Sequence, residues 1–162
     1  MKKLLPLLLI SSTAFASGLP ISSANVSSPT FTSIHEAAIY GMSQIPLSTV
    51  EYGGSVVQCG DTIVATEPVT SQQALTVSFE TSVPKSFGKC AVVARYHSHP
   101  RTAPYGEYFS TADIASARAE KVPVYMLNQQ NSTMRVFTPK KTSTTALKIS
   151  GHLVIVSKGE EI

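Results

Sequence analysis

The chain has 162 residues, 43% of them hydrophobic and 14% charged, with a formal charge of +3. That length holds one domain of ordinary size, and the composition is too apolar and too weakly charged for an intrinsically disordered chain while falling well short of a membrane protein. No internal repeat is visible, which excludes a solenoid or propeller.

In chain order, the first feature is an address. Lys2 and Lys3 precede an apolar run, Leu4 to Ile10, broken only by Pro6, and small residues then lead to Ala14-Phe15-Ala16. A basic start, a short apolar stretch and an Ala-x-Ala ending read as a secretory signal peptide over residues 1–16, cleaved after Ala16. The apolar run is shorter than the ~20 residues that span a bilayer, and no cysteine follows the cut to carry a lipid. The expected product is exported, periplasmic or secreted, without a stable membrane anchor. Losing the two lysines takes Lys+Arg from 13 to 11 against 10 acidic residues. The mature chain is therefore nearly neutral and has no basic stripe, so no nucleic-acid partner is expected. Export also frames Cys59 and Cys90, which either form one disulfide or stay as two buried thiols. With no third cysteine and no Cys-x-x-Cys, thiolate zinc and thioredoxin-like redox sites are excluded.

Residues 17–32, rich in Ser, Thr, Pro and Gly, read as a flexible leader, and a single domain is expected over 33–162. Ser33 with Glu36 has the spacing of a capping box, predicting a helix to about Met42 that buries Ile34, Ala37, Ala38 and Met42, with Pro46 blocking extension. Strands are predicted at Val50–Val57, Thr62–Ala65, Leu75–Phe79 and Cys90–His97; in the last, Ala91 to Ala94 suggests burial on both faces. Two prolines and a glycine make 98–109 a loop. A second helix opens at Ser110 and runs to about Lys121, and strands at Val122–Leu127, Arg135–Phe137 and Leu153–Val156 complete the series. This alternation predicts a mixed α/β sandwich, a mixed β-sheet between helices.

The chemistry concentrates in His97-Ser98-His99-Pro100, followed by Ser110-Thr111-Ala112-Asp113. Residues two apart on an extended chain project from one face, so His97 and His99 can aim at one point. Asp113, at a helix start, can add a hard oxygen ligand. Two imidazoles and a carboxylate suit Zn2+ and leave a position for water, the pattern of a catalytic rather than a structural site. The candidate acid/base is Glu51, at the start of the first strand run. Gly53-Gly54 beside it permits close approach of backbone or substrate. Ser110 is the candidate donor to a developing oxyanion.

His97-x-His99-Pro100, Ser110-x-x-Asp113 and an upstream Glu51 together resemble the JAMM motif of MPN-domain metallo-isopeptidases, above all the compact bacterial domains of secreted and toxin-associated proteins. Tyr96, Phe109 and Glu51-Tyr52-Gly53-Gly54 add to the likeness, which covers about residues 33–139. The resemblance implies a cytidine-deaminase-like α+β architecture. It also implies His97, His99 and Asp113 as zinc ligands, Glu51 as acid/base and Ser110 as oxyanion helper. The segment from His99 to Ser110 is a few residues longer than usual for the family, and the chain lacks room for the insertions that grip ubiquitin. The implied activity is zinc-dependent hydrolysis of a peptide or isopeptide bond in a peptide or protein substrate, cell-wall peptides among the candidates. The alternative is an inactive binding or effector module with a structural metal.

Duller readings fit the remaining polar residues. Ser110-x-x-Asp113 is also an ordinary helix cap, a role compatible with ligation. His35 reads as solvated or capping and His152 as structural. Glu67 and Glu80 rank below Glu51 as acid/base, Glu107 is an exposed loop charge, and Asn131-Ser132-Thr133 is a turn. A zinc nucleobase deaminase needs His-x-Glu and Pro-Cys-x-x-Cys, and neither is present.

Overall fold

The computed structural model describes residues 28–72, 86–87 and 90–162. The expected signal peptide, most of the leader and the strand expected at Leu75–Phe79 lie outside these residues. The elements are α1 (Ile34–Ser43), β1 (Gly53–Cys59), β2 (Thr62–Ala65), β3 (Ser86–Phe87), β4 (Cys90–His99), α2 (Thr111–Glu120), β5 (Val124–Asn128), β6 (Thr133–Phe137), β7 (Thr145–Ile149), β8 (His152–Val156) and β9 (Glu160–Glu161). Six strands form a continuous sheet in the order β2-β1-β4-β5-β6-β9, with β3 beside the start of β4, while β7 and β8 form a separate hairpin. Neighbours in the main sheet are antiparallel except β4 and β5, which are parallel and joined through α2. A parallel pair needs such a crossover, and here it carries the chain over one face. The result is the expected α+β architecture, a mixed sheet with two helices.

Alternation along the central strands divides the core into two layers. On one face, Val56, Ala94, Tyr96 and Tyr125 meet Ala37, Ala38 and Met42 of α1. On the other, Val124, Met126 and Phe137 meet Ile114 and Ala117 of α2, with Phe109. Arg95 lies on the α2 side, fully buried, its Nε 2.8 Å from Glu120 Oε2 and Nη1 2.5 Å from Ser55 Oγ. This charged clamp ties the C-terminal end of α2 to β1 and β4.

Several expectations change. Packed backbone begins before the first helix, because Phe31 N–H donates to Ile63 O at 2.8 Å and Ser28 Oγ accepts from Ala65 N–H at 2.9 Å. Ser33 caps α1 through the His35 N–H, one residue earlier than a capping box places it. Ala91 to Ala94 is not buried on both faces: Ala91 is exposed and Val92 and Val93 are half-buried, next to a register shift in the β1–β4 ladder. Continuous burial starts at Ala94, beside the residue where β5 begins to pair, and runs through His99. The strand itself extends two residues past His97. Gly54 serves the core rather than a substrate, since a Cβ there would run into the Tyr96 hydroxyl and lie 2.8 Å from ring carbon Cε1. Cys59 and Cys90 face each other across β1 and β4 and are joined as a disulfide. No helix among the described residues is long and apolar enough to cross a membrane.

Candidate metal centre

His97 and His99 occupy the C-terminal end of β4 and point to the α2 side, as the two-residue spacing predicts. Their Nε2 atoms are 3.1 Å apart. Asp113, at the third position of α2, brings Oδ1 to 3.4 Å from His97 Nε2 and Oδ2 to 3.7 Å from His99 Nε2. One donor atom from each of the three residues fits within a 4.8 Å cluster. Bonds of ~2.0–2.1 Å on a tetrahedral ion set donor–donor separations of about 3.3 Å; the two imidazole nitrogens are 3.1 Å apart, and each faces a different oxygen of Asp113 at 3.4 and 3.7 Å. Donor set and spacing both fit a divalent cation.

The surroundings prepare each donor. His99 Nδ1 lies 3.0 Å from the Gly106 carbonyl oxygen. A carbonyl only accepts, so Nδ1 carries the proton and neutral His99 presents its Nε2 lone pair to the cluster. Burial pushes the His97 imidazole down to about 4, with the Asp113 charge only partly opposing it, so at neutral pH this ring too is neutral. Burial also works against protonating His99, but the Asp113 hydrogen bond and charge, together with Glu51, outweigh it and hold the ring above the ordinary imidazole range. For Asp113, burial would raise the carboxyl, yet His97, His99 and Ser110 keep it well below the usual carboxylate range. A proton on His99 and a cation therefore compete for one cluster.

Asp113 is held by the start of its own helix. Its Oδ2 accepts from the Ser110 N–H at 2.7 Å and from the Ser110 hydroxyl at 2.8 Å, while Ser110 Oγ accepts from the Asp113 N–H at 3.2 Å. This capping box fixes the carboxylate at the positive end of the α2 dipole. The Ser110 hydroxyl proton, expected to serve an oxyanion, is directed at Asp113 here.

Glu51 precedes β1 instead of lying within it, and its Oε1 is 3.9 Å from His99 Nε2. It is 7% exposed. Burial raises its carboxyl to about 7, with His99 lowering and Asp113 raising it to smaller extents. Two residues that sequence reasoning passed over hold the segment that carries it. Ser98 sits between the histidines, its Oγ accepting from Tyr52 N–H at 3.2 Å and its N–H donating to Tyr52 O at 2.8 Å. Buried Gln129 accepts from Ser48 N–H at 3.1 Å, donates to Pro46 O at 2.8 Å, and gives its own N–H to His99 O at 3.0 Å. Position between two histidines was the one available signal for Ser98; nothing local marks Gln129.

The other acids fall elsewhere. Glu67 borders a cleft with Tyr40 and Gln44 of α1, Glu80 lies outside the described residues, and Glu107 pairs with Lys158 at 3.4 Å. Asn131 Oδ1 accepts from Thr133 N–H and Oγ1–H in the turn between β5 and β6. The metal cluster opens into a cleft of about 480 Å³. Glu51, His99, Ser110 and Asp113 form its floor, and the 100–109 loop and the β7–β8 hairpin line its sides.

A mixed sheet bearing a paired-histidine, single-aspartate cluster at a strand end and the next helix start is the arrangement of a domain of the JAB type, with three side chains that could hold a metal ion. Residues 47–140 match the family described as prokaryotic homologs of the JAB domain, and the chain belongs to that family. No curated protein matches the chain.

Proposed function

We propose that this protein is an exported, zinc-dependent hydrolase that cleaves an amide, peptide or isopeptide. The observation that carries the reading is the convergence of His97, His99 and Asp113 on one point, with the buried Glu51 carboxyl 3.9 Å from His99 Nε2 and an open cleft alongside. His97 Nε2, His99 Nε2 and a carboxylate oxygen of Asp113 would hold the ion. Zinc in such a site supplies a Lewis acid for the carbonyl and a water acidic enough to react near neutral pH. Glu51 takes the proton of the attacking water as its oxygen adds to the carbonyl carbon, then returns it to the nitrogen as the C–N bond breaks. A carboxyl beside both the cluster and the cleft is placed for both transfers. Ser110 Oγ lines the cleft and can turn its proton from Asp113 to the developing oxyanion, while the Ser110 N–H keeps the aspartate in place. Export is supported by the Cys59–Cys90 disulfide, a bond that persists in oxidising compartments.

The test is metal content and turnover in three proteins. The wild type should purify with about one zinc and hydrolyse peptide substrates, His99→Ala should lose the zinc, and Glu51→Gln should keep it while losing turnover by about 100-fold or more. A wild type that binds no divalent ion would overturn the reading. A Glu51→Gln protein that binds metal and partner as well as an equally inert wild type would instead establish a binding module.

A further inference from the structure

The family match ends at residue 140, yet the chain beyond that point builds one side of the cleft. In the β7–β8 hairpin, Thr145, Leu147 and Ile149 pair with Val156, Val154 and His152, so these six share one face, and Ile149, Val154 and Val156 from it line the cleft. The opposite face carries Leu153, 74% exposed. The hairpin is registered on the segment that delivers Asp113. Phe109 N–H donates to Ser157 O at 2.7 Å, Ser157 N–H donates to Phe109 O at 3.2 Å, and the Thr111 hydroxyl donates to Ile155 O at 2.6 Å. Tyr105 and Tyr108 of the long loop also line the cleft, Tyr105 with a left-handed backbone (φ 60°) and half its surface exposed. Among the described residues lining the cleft there is no Lys or Arg, and its two formal negative charges, Glu51 and Asp113, lie on the floor.

We infer that this cleft selects an uncharged, extended peptide segment with a bulky aliphatic side chain next to the scissile amide, seated between Val154 and Val156 of the hairpin and Tyr105 of the loop. The inference rests on the hydrolase reading above for the position of the scissile bond. Apolar walls gain by covering an apolar side chain. A charged side chain laid against these walls would lose its water without gaining a partner from them. The hairpin is fixed to the Phe109–Thr111 segment, so the same backbone that sets Asp113 also sets the distance from the apolar wall to the reacting carbonyl.

The experiment uses the full mature chain carrying Glu51→Gln, with and without zinc. Its probes are fluorescently labelled, end-blocked hexapeptides differing only in one central residue: Leu, Ala or Asp. Fluorescence anisotropy should show Leu binding about tenfold tighter than Ala and tighter still than Asp, the difference expected for covering one aliphatic side chain. Adding Val154→Asp should abolish the preference, as should Tyr105→Ser in the loop if the hairpin variant fails to fold. Leu153→Asp, on the outer face, should retain it. Equal affinities for the three peptides, or a Leu preference that survives both wall variants, would overturn the inference. A Leu preference lost in the wall variants of a protein that binds no zinc would uphold the cleft and discard the hydrolase instead. Zinc-dependent turnover of the same peptides by the chain with Glu51 intact, indifferent to the central residue, would do the reverse.

Discussion

Glu51 offers a measurement of site electrostatics that does not depend on finding a substrate. Its carboxyl moves from 4.5 to about 7 on folding, chiefly by burial. Below pH 4.5 the group is protonated in both folded and unfolded chains and contributes no pH dependence. Between 4.5 and 7 the unfolded chain gives up its proton while the folded one keeps it, so stability falls as pH rises through this window. Above 7 the folded protein carries the charge as well, and the loss levels off at about 3 kcal/mol, at ~1.4 kcal/mol per pH unit of displacement. Glu51→Gln has nearly the same shape and cannot ionise. In protein stripped of metal, wild type and variant should therefore unfold together at pH 4. By pH 8 the variant should be more stable by about 3 kcal/mol, or about 10 °C in Tm for a domain of this size. Calorimetry or urea unfolding of both proteins across pH 4–8 reads the difference directly, and pairing the two curves cancels the titrations that do not feel Glu51, leaving Glu51 and its coupling to His99. Saturating zinc should collapse the gap, because a cation beside the carboxylate favours its ionised form. Parallel curves for the metal-free pair would refute the assignment of Glu51 to a desolvated position at the cluster.

Two further substitutions test the scaffold. Gly54→Ala should cost about 1–3 kcal/mol by overpacking against the Tyr96 ring, seen as a lowered Tm that Tyr96→Leu in the same chain partly restores; an effect on KM with unchanged Tm would mean that the glycine faces substrate instead. Replacing both Cys59 and Cys90 by Ser, 31 residues apart, should lower stability by roughly 2–4 kcal/mol in urea unfolding, the scale expected from opening a loop of that length, with metal content unchanged.

Legibility from sequence followed the locality of the constraint. His97 and His99 could be placed on one face because strand alternation is a two-residue rule, and Ser110 with Asp113 because a helix cap is a three-residue rule. Glu51 was picked out by its position beside Gly53-Gly54, and the family resemblance agreed, but what holds it at the cluster was not legible, since its place depends on Ser98 and Gln129, which hold its segment from 46 or more residues away along the chain. Gly53-Gly54 was correctly read as a place of close approach, but the approaching group is Tyr96 from a neighbouring strand. β7 went unrecognised although Thr145, Leu147 and Ile149 do alternate, because Ala146 and Lys148 dilute its strand character and most of its surface stays exposed. The left-handed backbone at Tyr105 has no local signal, as it is a non-glycine held by turns on either side.

These differences in locality also separate two jobs within one cleft. The cation cluster belongs to the family core: β4 supplies two imidazoles at its C-terminal end, and the helix that crosses back toward the parallel strand β5 supplies the carboxylate at its positive end. Ligands gather at such strand ends because loops there leave a crevice beside a helix N-terminus. The apolar wall comes from residues after the family match and is tied to the core through Phe109 and Thr111. Substitutions at Ile149 or Val154 can therefore alter which side chain is accepted without disturbing His97, His99 or Asp113. Loss of the Thr111 hydroxyl, by contrast, would loosen the wall and the Asp113 segment together. Thr111→Val should thus weaken both selectivity for Leu and metal retention, whereas Val154→Ser should weaken selectivity alone, and measuring the two properties side by side distinguishes a wall that reads the substrate from one that only braces the fold.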